Sequence, residues 1–155
     1  MKPEVHVRGQ IQKPVAEVFD AVYNPIKLSG YFTTAGASAP LDTETTVTWE
    51  FADFPGPFPV YVVESKKDQK LVFEWEASDG AESTTGAGYN TRVEFLFIPT
   101  ENGVGTKVEI RESGWNDGEI GLKASMGNAQ GWMNMLCCLK AYVEHGINLR
   151  EGFFK

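Results

Sequence analysis

Apolar and polar side chains alternate at the start of the chain. Val5, Val7 and Ile11 are interleaved with His6, Arg8, Gln10 and Gln12, the period of a strand with one wet face. The period then changes. Pro14 suits a first helical turn, and Val15, Val18, Phe19 and Val22 follow at helical spacing until Asn24-Pro25 interrupts them. A short second helix over residues 26–30 precedes Tyr31-Phe32. From there to about residue 115 the period is two again. Val47, Trp49 and Phe51 alternate with Thr46, Thr48 and Glu50; the stretch DFPGPFP reads as a turn of the chain; and residues 60–64 form the next strand. Leu71, Phe73 and Trp75 alternate with Val72, Glu74 and Glu76, Val93, Phe95 and Phe97 with Arg92, Glu94 and Leu96, and Val108 and Ile110 with Glu109 and Arg111. That pattern predicts six strands. Residues 78–90, SDGAESTTGAGYN, have almost no apolar content and read as a mobile loop.

The last element is a helix. Trp132, Leu136, Leu139 and Val143 recur at i, i+4, i+7 and i+11, and Met135 and Tyr142 widen that face. Gly146 follows as a left-handed cap, with His145 at the negative end of the dipole. The start is open between Asn128 and a less regular beginning near Glu119. An antiparallel sheet with one apolar face must cover it, and this helix is the large apolar partner available. The expected architecture is α+β in one domain over residues 1–155: a strand, two short helices, five further antiparallel strands, and the long helix against the sheet.

Composition narrows the function. A chain of 155 residues buries roughly 70% of its unfolded surface, so it needs no disulfide or metal to hold together. The net charge of −7 argues against nucleic acid and anionic membranes as partners, because both are recognised by clustered Lys and Arg. Cys137 and Cys138, adjacent on a helix, point about 100° apart and read as packing residues of a reducing compartment. With no apolar leader in MKPEVHVRGQ and no run of membrane-spanning length, the cytoplasm is the expected location.

The pieces IQKPVAEVFDAVYNP with the YF that follows, KLVFEWEA, TRVEFLFIPTENGVGTKVEIRESGW and GWMNMLCCLKAYVEHG occur in an order and spacing that carry a resemblance over nearly the whole length. The chain resembles the birch-pollen-allergen-like superfamily that also holds START lipid-transfer domains and polyketide cyclases. Within it, the chain is most similar to bacterial single-domain relatives of the activator of the heat-shock-protein ATPase. The resemblance implies a helix-grip fold, a curved sheet of seven strands around the last helix. The seventh strand would come from the TAGASAPLD region or from a split of residues 43–64. It also implies a cavity between helix and sheet that takes a small apolar or amphipathic molecule, with chemistry in a minority of members. A homodimer is compatible with it. A chaperone partner is doubtful, since the chain leaves no room for the additional N-terminal domain of the full-length eukaryotic activators.

The inward parity places Trp49, Phe51, Phe73, Trp75, Phe95 and Phe97 opposite Trp132, Leu136 and Leu139, either as the lining of a ligand cavity or as plain core. Trp75 and Phe95 are expected to leave room beside Trp132. Glu112 continues the inward series Val108, Ile110, so its carboxylate ends at the cavity mouth with a partner, unless a bulge turns it outward. Glu112 and Tyr61 are the candidate acid or base groups of an alternative cyclase- or hydrolase-type reading. No catalytic triad, phosphate loop or metal cluster is spelled out, and no cofactor is expected. Glu144 and His145 point apart on the helix and form no dyad. Glu50, Glu74, Glu94 and Glu109 read as a solvated outer face.

Overall fold

The computed structural model describes residues 1–78 and 88–155. Most of the expected mobile loop, residues 79–87, lies outside the described residues. In chain order the elements are β1 (Val5–Ile11), α1 (Val15–Tyr23), α2 (Pro25–Leu28), β2 (Gly36–Ala37), β3 (Thr46–Phe51), β4 (Phe54–Lys66), β5 (Lys70–Glu76), β6 (Asn90–Pro99), β7 (Thr106–Ser113) and α3 (Glu119–His145). The described strands form one antiparallel sheet in the order β1-β7-β6-β5-β4-β3-β2. No helix among the described residues is long and apolar enough to cross a membrane.

The two short helices are delimited by one dipeptide. Pro25 disfavours helical geometry at Asn24, which is extended (φ −81°, ψ 120°), and α1 stops there. The Asn24 side chain then accepts from Ile26 N at 3.0 Å and caps α2, whose first residue is Pro25. Val18, Phe19, Ala21 and Val22 turn inward, and the buried Tyr31 donates its hydroxyl to Ala21 O at 2.9 Å, fixing the chain that leaves α2.

One expectation is met and one is corrected here. The described residues form a sheet of seven strands, as the resemblance implies; the one that alternation missed is β2, two residues of the TAGASAPLD region, where Gly36 pairs with Glu50 and Ala37 with Trp49. Two residues show no period. The proline-rich stretch is not a turn. Phe51 already faces Phe54 across Ala52-Asp53, and β4 carries Pro55, Pro57 and Pro59 within a strand of 13 residues. This is possible because Thr48, opposite Pro59, directs both its backbone groups to Ser38 on the β2 side. On the other side of β4, pairing with β5 begins only at Tyr61. The proline nitrogens therefore face no strand that needs a donor.

α3 takes the earlier of its two possible starts and runs 27 residues. Gly146 ends it in the left-handed region (φ 68°), its N–H returning to Ala141 O and Tyr142 O. Trp132, Met135, Leu136, Cys138 and Leu139 are buried, the face predicted from the spacing.

Candidate functional site

The inward face of β3 to β6 is an almost continuous aromatic surface. Trp49 meets Phe73 at a ring-centroid distance of 5.2 Å and Trp75 at 6.1 Å. Phe73 continues to Phe95 at 6.1 Å, and Phe95 to Phe97 at 6.1 Å. Trp132 of α3 lies on this surface, stacked on Trp75 at 5.2 Å and edge-on to Phe95 at 5.5 Å. The room expected beside Trp132 is thus filled by those two rings, and its exposure is only 2%. All seven aromatic candidates join one cluster. Leu136 and Leu139 are buried further along the same helix, Leu136 reaching within 3.7 Å of where a Cβ on Gly9 would stand.

Two members were not singled out from the sequence. Phe32, just after α2, joins Trp49, Phe51 and Trp132 at 5.8, 5.0 and 5.9 Å. Phe58 packs on Phe51 at 5.4 Å and on Trp75 at 6.0 Å. Their only sequence signal is an aromatic residue in a stretch that otherwise reads as loop or turn. The cluster is closed at the α1 side, where Phe19 meets Phe97 at 5.2 Å, and open at the β3–β4 end, where Phe51, Phe58 and Trp75 are only half-buried.

Glu112 organises this surface. The register of β7 with β1 and β6 is unbroken through it, so no bulge turns it outward, and it is 1% exposed. Oε1 accepts from Trp75 Nε1 at 2.8 Å, Thr91 Oγ1 at 2.6 Å and Asn128 Nδ2 at 3.1 Å. Oε2 accepts from Trp132 Nε1 at 2.6 Å and Asn128 Nδ2 at 3.0 Å. All four partners are uncharged donors. Isolating a carboxylate from water costs several kcal/mol, and charge-assisted hydrogen bonds of about 1.5–3 kcal/mol each offset this. A carboxylate has about four lone-pair sites, and here five contacts occupy them. Glu112 thereby locks the two stacked indoles against each other and has no lone pair left over for a proton in transfer. Asn128 Oδ1 takes up the exposed Ser78 hydroxyl at 3.0 Å, so the network reaches the surface through one amide.

Tyr61, the other acid or base candidate, is 41% exposed between inward-facing Val60 and Val62, and so lies on the outer face of β4. Glu109 is also on the outer face, yet it is not solvated. His6, Lys107 and Arg111 cover it, leaving its side chain 11% exposed. Burial alone would raise its pKa, but the His6 hydrogen bond and the Lys107 and Arg111 charges hold it below the ordinary value. Cys138 is pushed up to about 11, chiefly by burial, and stays a thiol.

Beyond the open end lies the segment after α3. Arg150, 7% exposed, binds Asp53 Oδ1 through Nε at 3.2 Å and Nη2 at 3.1 Å. Its guanidinium lies over the Phe51 ring at 4.5 Å and the Phe32 ring at 5.5 Å. Outside it is a surface groove of about 570 Å³ lined by Thr34, Ala52, Asp53, Pro55, Asn148 and Arg150, among others. Arg150 therefore stands between that groove and the aromatic rings.

A curved antiparallel sheet closed around one long C-terminal helix, with two short helices after the first strand, is the α+β helix-grip architecture. Residues 12–144 match the family described as Activator of Hsp90 ATPase homolog 1-like protein, and the chain belongs to that family. Among solved structures it is similar to protein SSP2350 from Staphylococcus saprophyticus, with TM-score 0.76, 24% identity and coverage of 96% of each chain. It is similar to the Aha1 dimer from Colwellia psychrerythraea, with TM-score 0.72, 19% identity, and 93% of this chain and 98% of that one covered. DynU16, from the dynemicin biosynthetic locus, has TM-score 0.76 and 23% identity, and 94% of this chain covers 48% of that one. A comparison with curated proteins found no match.

Proposed function

We propose that this chain binds a small apolar or amphipathic molecule against the aromatic surface between the sheet and α3, entering at the open β3–β4 end. Trp49, Phe51, Phe73, Trp75, Phe95, Phe97, Trp132, Leu136 and Leu139 form or back the wall. Glu112 positions it. The observation that carries the reading is the Glu112 network: a buried carboxylate with all its lone pairs engaged holds two indoles in place and keeps a large aromatic face pre-organised, which lowers the ordering cost of binding. The same saturation weighs against Glu112 as an acid or base, and favours binding over turnover. The origin of DynU16 in a biosynthetic locus supports a small molecule as the occupant. The test is titration with an apolar naphthalene fluorophore. Saturable binding, with energy transfer from tryptophan and loss of affinity in Phe58→Ala, is expected. Absence of saturable binding to folded protein would overturn the reading.

A second copy is a further partner in this reading. Leu122, Met126 and Met133 are 47%, 59% and 42% exposed on one face of α3, with exposed Cys137 in line, and the Colwellia relative is described as a dimer. Light scattering should give twice 17.1 kDa for wild type and the single mass for Met126→Lys. The single mass for both would contradict pairing.

A further inference from the structure

Four tryptophans divide into two pairs by what their indole N–H groups meet. Trp75 and Trp132 both donate to Glu112. Trp49 and Trp115 are 1% and 0% exposed, and the Nε1 of each has no hydrogen-bond partner among the described residues. A buried donor left unpaired is costly, and few occur in a folded protein. Trp115 lies in the connection between β7 and α3, outside the aromatic cluster. Trp49 is at its centre, in ring contact with Phe32, Phe58, Phe73 and Trp75. Of these neighbours Phe58, its cross-strand partner on β4, is half-buried at the open end of the cluster, and its ring is not held by a hydrogen bond as the half-buried Trp75 ring is.

Resting on the binding reading above, we infer that the ligand carries a neutral hydrogen-bond acceptor, a carbonyl or ether oxygen set in an apolar framework, and that this oxygen takes up the Trp49 indole N–H when Phe58 yields. Trp49 then determines specificity. The apolar framework stacks on Phe51, Phe58 and Trp75, as any hydrocarbon of the right size would, and the unpaired Trp49 donor selects among such molecules. The acceptor is neutral because the cation that lies over the Phe32 and Phe51 rings is already paired and a carboxylate stands behind Trp75. That cation, Arg150, is paired with Asp53, and that carboxylate, Glu112, would repel a carboxylate ligand.

The test compares acetylnaphthalene with ethylnaphthalene, two probes of nearly equal shape of which only the ketone has an acceptor. In wild type and in Trp49→Phe, which keeps an aromatic ring and removes the N–H, the ratio of ketone to hydrocarbon affinity is measured. That ratio is expected to fall about tenfold in the variant, over and above any loss that both probes share, the loss of one hydrogen bond to a buried donor. A second readout uses wild type alone, so it holds even where the variant fails to fold. In proton–nitrogen spectra the ketone should move the Trp49 indole proton downfield well beyond the shift from the hydrocarbon, leaving that of Trp115 in place. An unchanged ratio, or equal Trp49 shifts with both probes, overturns the acceptor inference and leaves the binding reading standing. Failure of both probes to bind overturns the binding reading itself.

Discussion

Replacing Glu112 with Gln changes one oxygen into an NH2 group and hardly alters shape. The site has no place for that group. Put at Oε2, the amide nitrogen meets Trp132 Nε1, which stood 2.6 Å from the oxygen; put at Oε1, it meets Trp75 Nε1 at 2.8 Å and Thr91 Oγ1 at 2.6 Å. An indole nitrogen only donates, so in either orientation one buried N–H loses its acceptor, at about 1–3 kcal/mol. The remaining contacts weaken from charge-assisted to neutral, and the relief of no longer burying a charge offsets part of that loss. The net expectation is a destabilisation of about 2–3 kcal/mol, or about 1–2 M in urea midpoint at an ordinary denaturant slope. The sharper assay is a double-mutant cycle with Trp132→Phe. With the Trp132 donor gone, the Gln amide can face the phenyl ring without a donor–donor clash, so Glu112→Gln should cost less in that background by about 1–2 kcal/mol. Strictly additive costs, or a Glu112→Gln protein as stable as wild type, would refute the idea that this carboxylate locks the two indoles.

Trp132→Ala should cost about 3–5 kcal/mol in chemical unfolding, a full core loss, because the indole is 2% exposed and touches Phe32, Phe73, Trp75 and Phe95; a cost of about 1 kcal/mol would mean open space beside it. Gly121→Ala should destabilise by about 1–3 kcal/mol even though Ala is the better helix former by about 1 kcal/mol, since its Cβ would stand 2.1 Å from Asn116 O; a higher melting temperature would contradict this. The Glu109 pKa is lowered in the folded state, so its contribution to stability is present above its ordinary value of 4.5 and is lost as pH falls through the lowered one. The stability difference between wild type and Glu109→Gln should therefore be full at neutral pH and shrink on acidification below about 4.5, and a difference independent of pH would count against the His6–Glu109–Arg111 cluster.

Alternation and helical spacing made most of the architecture legible because each rests on burial of one face over several residues. They placed β1, α1, β3, β5, β6, β7 and the buried face of α3. They failed where a neighbouring strand, absent from any local window, decides the outcome. β2 is too short to show a period, and the prolines of β4 are tolerated only because β5 does not pair with that half of the strand. The candidate site divides in the same way. Parity placed Glu112 inward and gathered the aromatic residues, but Thr91 and Asn128 have no pattern that marks them as its donors, since the contacts join residues 21 and 16 positions apart on three elements. Parity likewise put Glu109 on the outer face and could not see the three basic side chains that cover it.

The central claim is that the aromatic surface between sheet and α3 receives a small molecule, and native mass spectrometry of the protein purified from its own host tests it most directly. The account predicts a species heavier than the 17.1 kDa chain by the mass of one small organic molecule per chain, stripped by mild collisional activation and strongly reduced in Phe58→Ala. The bare chain mass from several growth conditions, with no uptake of apolar probes by the folded protein, would contradict it.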